Sequence, residues 1–142
     1  MLAIKRIASI ALGAFLTSAG ISHLGSNRTE FLAQVPTWLP FNADFVVVAS
    51  GFVEITLGIC LIITTLIFNH LRHKVGLIVA TFFILIFPGN INQYINGIDA
   101  FGLDTDQKRL IRLFFQPILV IWALWSTGCI GVRKEIQKRY VK

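Results

Sequence analysis

Glu54 is the single charged side chain in the run Phe45–Leu71. A carboxyl group in such apolar surroundings is costly to keep, so it marks either a proton donor or acceptor or one half of an ion pair. His23, Asn90, Arg112 and Gln116 stand in the other apolar stretches of the chain. They offer an imidazole with two ring nitrogens for hydrogen bonding, two amides that donate and accept at once, and a guanidinium with a fixed fork of donors. Together these groups could hydrogen-bond the polar end of an amphipathic small molecule. Glu54 then takes the proton-transfer role, and His23, Asn90, Arg112 and Gln116 the ligand-binding role.

Other chemistries lack their residues. A haem held by two histidines needs both at one depth, and His70 and His73 fall in a polar stretch far from His23. Dithiol exchange needs neighbouring cysteines, whereas Cys60 and Cys129 lie in separate apolar runs. Neither a metal-ligand cluster, a glycine-rich phosphate loop nor a nucleophile elbow occurs, so no metal is expected. The formal charge of +6 is not a nucleic-acid footprint, because Arg133 to Lys142 alone carries five Lys/Arg and one Glu. A basic cluster directly after an apolar run is the pattern of a cytoplasmic membrane flank.

The elements that must position these groups are membrane spans. Of 142 residues, 55% are hydrophobic and 14% charged, about half the charge of an average soluble domain. So few charges cannot supply a polar face to each helix of a soluble bundle. Charge-poor runs predict four spans, at roughly 7–25, 45–68, 75–96 and 109–132, each about 20 residues or longer and able to cross the hydrocarbon core. A further uncharged segment, Phe31–Ala43, is too short to span and contains Pro36 and Pro40. It reads as an interfacial segment folded over the outer mouth, with Trp38 and Phe41 at headgroup level. The expected fold is therefore all-α: a transmembrane four-helix bundle in one domain, residues 1–142, with a short interfacial segment between helices one and two. The first span also fits a signal peptide, with Lys5-Arg6, an apolar stretch and Thr17-Ser18-Ala19. Against cleavage, its apolar character continues to Leu24.

Counting Lys and Arg sets the orientation. Lys5, Arg6, Arg72, Lys74 and the five of the tail lie on one side; Arg28, Lys108 and Arg109 lie on the other. Both termini are expected in the cytoplasm. At 1.5 Å rise per residue, His23 then lies about 5 Å, and Glu54 about 14 Å, from the outer end of its span. Asn90, with Asn92, Gln93 and Tyr94, falls within about 12 Å of the exit of the third span. If Asp104 and Gln107 form a capping box, Arg112 and Gln116 lie about 10–17 Å along the fourth. The inner halves hold only Ser9, Thr64, Thr65, Thr81, Ser126 and Thr127, hydroxyls able to bond back to their own helix. A pocket open to the outer face is expected rather than a through-path. Gly51, Glu54 and Gly58 share a helix face, as do Gly13, Leu16, Gly20 and His23, and small residues let two backbones approach. Pro88 and Pro117 release the carbonyls of Ile84 and Leu113, which can face the same cavity.

Plainer readings stand beside these. Glu54 and Arg112 also fit a structural ion pair, and His23 an interfacial, hydrogen-bonded histidine. His70 and His73 fit solvated loop residues, and Trp122 and Trp125 fit packing or lipid contact.

In order along the chain, Ala19-Gly20-Ile21-Ser22-His23, Val35-Pro36-Thr37-Trp38-Leu39-Pro40, and Ser50-Gly51-Phe52-Val53-Glu54-Ile55-Thr56-Leu57-Gly58 resemble the DoxX family of small bacterial four-helix membrane proteins. Phe87-Pro88-Gly89-Asn90-Ile91, Arg112-Leu113-Phe114-Phe115-Gln116 and Ile121-Trp122-Ala123-Leu124-Trp125 extend the resemblance to the fourth span. The family's proline between arginine and glutamine is here displaced to Pro117. The resemblance implies the bacterial cytoplasmic (inner) membrane and a redox-associated role, with a quinone-like or lipid-like small molecule as ligand. Quinone is the cofactor class implied. No redox centre is encoded, so electrons would come from a redox partner protein or a bound cofactor, and catalysis by the chain alone is left open. A non-enzymatic assembly or scaffold subunit of a membrane redox complex is the alternative. A small-molecule transporter is a third reading, weakened by the polar-poor inner half.

Overall fold

Apolar runs too long for a small soluble core must each form a helix, because a lipid-facing backbone has to satisfy its own hydrogen bonds. The structure, a computed structural model, describes residues 2–130. It contains α1 (Leu2–Leu24), a short α2 (Arg28–Gln34), α3 (Ala43–Leu66), α4 (Arg72–Ile95) and α5 (Asp106–Thr127). A single 3₁₀ turn, Asn69–Leu71, joins α3 to α4. The four long helices are apolar and long enough to cross a membrane, which makes the chain a multi-pass membrane protein with the expected all-α four-helix bundle. α2 lies across one end of the bundle, the lid end; the opposite end, where α3 passes into α4, is the turn end.

The outward faces are apolar, with Phe52, Leu85, Phe114 and Ile121 all exposed. A soluble bundle would put polar residues there, and a lipid-facing one would not. Inside, Leu12, Leu16, Leu61, Val79, Phe83 and Leu119 form the apolar core. The two glycine faces read from the sequence meet along α1 and α3. A Cβ on Gly20 would lie 2.5 Å from the carbonyl oxygen of Gly51, and one on Gly58 would lie 2.5 Å from that of Gly13. Only glycine permits this approach, and it draws the His23 and Glu54 segments together.

At the turn end the hydroxyls do more than cap their own turns. Ser9 and Thr65 hydrogen-bond at 2.9 Å between α1 and α3, Arg6 donates to the carbonyl of Thr65 at 3.2 Å, and Trp122 donates to that of Ala8 at 2.9 Å. Thr64, Thr81 and Thr127 do bond back within their helices.

Several boundaries differ from the sequence reading. α1 starts at Leu2, since Lys5 and Arg6 extend a helix as readily as they flank one. α5 stops at Thr127 because Gly128 takes a left-handed conformation, φ 87°, so the expected continuation to 132 is not helical through residue 130. Residues 131–132 of that span, and the basic cluster from Arg133 to Lys142, lie outside the described residues. The N-cap of α5 is Thr105, whose hydroxyl accepts from the Lys108 N–H; Asp104 pairs with the Lys108 ammonium at 2.7 Å instead of forming a capping box. Arg72 and Arg109, counted as flank charges, are buried. Arg109 is held at the start of α5 by Asp99 and Asp106. Pro88 and Pro117 remain inside continuous helices.

Candidate functional site

α1 carries His23 in its last turn, and α3 carries Glu54 three turns from its start. The glycine contact brings them face to face, with His23 Nδ1 2.8 Å from Glu54 Oε2. Both side chains are buried. The approach lies off the axis of an aligned hydrogen bond, so proximity rather than a directed bond couples the pair. This replaces the Glu54–Arg112 ion pair that the sequence left open. Helix phase explains the difference: Glu54 points across the α1–α3 contact, whereas Arg112 projects from α5 toward α4 and α2.

Arg112 is the shared donor of two amide chains. Its Nε donates to Asn90 Oδ1 at 3.1 Å; Asn90 Nδ2 donates to Gln116 Oε1 at 2.9 Å; Gln116 Nε2 donates to the carbonyl of Phe83 at 2.7 Å. In the second chain Nη2 lies 3.5 Å from Gln34 Oε1, and Gln34 donates in turn to Gln93. Gln93 ends the chain on the carbonyls of Ile98 and Ala100, each at 3.2 Å. Both chains run in one direction, from a cation to backbone carbonyls, so every amide oxygen has a donor and no buried amide is stranded. The carbonyl captured on α4 is that of Phe83, one residue before the expected Ile84.

The lid closes over these groups. Phe31 of α2 lies against His23 with its ring tilted by 40°, centroids 3.4 Å apart, and meets Phe101 edge-on at 4.6 Å. The guanidinium of Arg112 stands 4.9 Å from the centroid of the Phe101 ring, a favourable cation–π contact. Phe101 has φ 58°, a left-handed conformation that costs a bulky residue about 1–2 kcal/mol. It is held there by the two ring contacts and by the carboxylate of Glu30, which accepts its N–H. Arg28 ties the start of α2 to Asp44 at the start of α3 at 2.6 Å. The interfacial segment is thus a helix of about two turns beginning at Arg28, followed by a loop in which Trp38 and Phe41 are exposed.

Under the lid lies a cavity of about 640 Å³, within the usual range for a small-molecule site. Phe15, Leu16, Val47, Phe83 and Leu119 line it with hydrocarbon, and His23, Glu54, Asn90, Arg112, Gln116 and Gln34 supply its polar wall. All five residues singled out from the sequence therefore border one cavity, divided into an acid–imidazole pole on α1 and α3 and a guanidinium–amide pole on α4, α5 and α2. Gln34, Phe31 and Phe101 complete its wall, with Gln93 behind Gln34, and were not assigned there. A search for charges passes over amides, although the uncharged Phe31–Ala43 segment still contained Gln34 as its one long polar side chain. Among the described residues no group of His, Cys, Asp and Glu is placed to hold a metal ion.

No curated protein and no solved structure matches the chain. A family model described as "Domain of unknown function (DUF8561)" matches residues 12–127, from the first core leucine to the last residue of α5, and the chain belongs to that family.

Proposed function

We propose that the cavity at the lid end binds a quinone-like or other amphipathic small molecule, and that the protein serves a redox-associated process in the bacterial cytoplasmic membrane. The observation that carries this reading is the pairing of hydrocarbon walls with two convergent polar poles around one cavity of about 640 Å³, the usual make-up of a small-molecule site. The Lys and Arg count along the sequence, with five in Arg133–Lys142, supports placing both termini in the cytoplasm and the cavity in the outer half of the membrane. The resemblance to DoxX proteins supports the redox association.

The acid–imidazole pair suits proton exchange. Glu54 Oε2 and His23 Nδ1 stand 2.8 Å apart at the cavity wall, and either group can pass a proton to a polar atom of a ligand lying between the poles. Asn90 and Gln116 orient that ligand. Electrons, where the process requires them, come from a redox partner protein. A scaffold reading is favoured by one observation: both amide chains end on backbone carbonyls and already join α2, α4 and α5 without a ligand.

The substitution Glu54→Gln separates the two. A ligand site should keep its folded bundle and lose retention of the co-purifying small molecule, because the amide fills the same space without the exchangeable proton. A purely structural pair should lose thermal stability, since a buried partner is stranded. Stability and small-molecule content measured on one preparation decide it: a stable variant with unchanged content overturns the proposed role of Glu54.

A further inference from the structure

We infer that the ligand of the lid-end cavity is an anionic amphiphile, a carboxylate or phosphate head on an apolar chain, with Arg112 as its counter-ion. The inference rests on reading the cavity as a ligand site and goes beyond it by fixing the charge of the head group.

Arg112 lines the cavity between apolar walls in the interior of a membrane-spanning helix. Among the described residues no carboxylate lies within ion-pair distance of it; its contacts are the neutral oxygens of Asn90 and Gln34 and the face of Phe101. The other cationic side chains of the lid end are each matched: Arg28 by Asp44, Lys108 by Asp104, and Arg109 by Asp99 and Asp106. Glu54, the one carboxylate on the cavity wall, is taken by His23. An arginine inside a membrane ordinarily faces a partner of opposite charge or water, and the described residues supply no such charge here.

Donor geometry points the same way. Nε and one Nη2 hydrogen are engaged by the amides. Nη1 has no hydrogen-bond partner among the described residues and is not fully buried, and Arg112 is part of the cavity lining. The free Nη1 hydrogens and the second Nη2 hydrogen form the fork that receives two oxygens of a carboxylate or phosphate side by side. The engaged amides fix the plane of the guanidinium before the ligand arrives, so little rotamer freedom remains to be lost. Beyond the head, Phe15, Leu16, Val47 and Leu119 offer only hydrocarbon. A free small anion would leave that part of the cavity unfilled.

The test compares ligands that differ only in head group on the purified wild-type protein in neutral detergent. Dodecanoate and dodecyl phosphate are titrated against methyl dodecanoate and dodecanol, with a neutral short-chain quinone and inorganic phosphate as further arms, by competition with a fluorescent fatty acid. The anionic ligands should bind at least about tenfold tighter than their neutral counterparts, the factor expected for a charge-assisted pair of hydrogen bonds. Arg112→Gln should abolish that preference while leaving binding of the ester intact, and Arg112→Lys should keep part of it. Equal binding of acid and ester by the wild type overturns the inference, and if the quinone binds as well the cavity stands as a neutral-ligand site. Displacement by inorganic phosphate alone overturns the amphiphile and leaves a free-anion site. No binding of any of these ligands removes the ligand-site reading itself. The wild-type comparison decides the matter even where Arg112→Gln fails to fold.

Discussion

Gly20→Ala is a one-methyl change that should be felt through the whole cavity. The added Cβ would meet Gly51 O at 2.5 Å, Ile55 Cγ1 at 2.8 Å and Ile55 N at 2.9 Å. Two of those atoms belong to the backbone of α3 and cannot rotate away. Restoring ordinary contact requires α1 and α3 to separate by about 1 Å, which forfeits dispersion along the whole glycine interface. Overpacking of this kind costs about 1–3 kcal/mol, and the better helix propensity of alanine returns about 1 kcal/mol. With two of the three contacts on backbone the upper half of that range applies, so a net loss of about 1–2 kcal/mol follows, together with a looser His23–Glu54 pair, because those side chains ride on the same two helices. Gly89→Ala is the control: its Cβ would find only Gln34 O at 3.5 Å, so it should be neutral or up to about 1 kcal/mol stabilising. Thermal melts of both variants in one detergent, followed by size-exclusion recovery of folded protein, make the comparison. A Gly20→Ala protein as stable as wild type, or a Gly89→Ala protein equally destabilised, would refute the close-packing argument.

Further outcomes follow from other parts of the structure. Gln116→Leu strands the Asn90 amide that donates to it and should cost about 1–3 kcal/mol in the same melt; an unchanged melt would show that the amide chain does not hold α4 to α5. Reporter fusions after Lys142 and within the Gly97–Thr105 connection should report opposite compartments, the first cytoplasmic; a periplasmic tail would contradict the orientation. The hydrogen bond from Lys108 holds the Asp104 carboxyl below the ordinary carboxylate range. Its small contribution is therefore present above that range and disappears as pH falls through the lowered value. A side-chain carboxyl titration by NMR should show a midpoint under about 3.9 that rises in Lys108→Gln; a midpoint already at the ordinary value would show that the exposed pair does not form.

The legible part of the fold was the part set by solvent. Charge-poor runs long enough to cross a bilayer announced four helices, and the cost of polar atoms in hydrocarbon singled out His23, Glu54, Asn90, Arg112 and Gln116, which all border the cavity. Glycine periodicity announced the face on which α1 and α3 meet. Pairing was less legible, because charge alone joins Glu54 to Arg112, while helix phase turns Glu54 toward His23. Arg72 and Arg109 look like flank charges in a linear count, yet helix ends and loops fold back over them. Gln34 was hidden for a different reason: its role depends on α2 lying across the bundle, a tertiary placement that local propensity does not encode.

The occupancy of the cavity in protein taken directly from its native membrane tests the central claim most directly. Native mass spectrometry of the wild type, released from detergent, should show a stoichiometric small-molecule adduct whose fragment identifies an amphipathic molecule. Ser50→Trp, which puts an indole into the cavity wall, should fold with α1–α5 intact and lose the adduct. A wild-type spectrum with no adduct beyond bulk lipid, or an adduct retained in full by Ser50→Trp, would contradict the account.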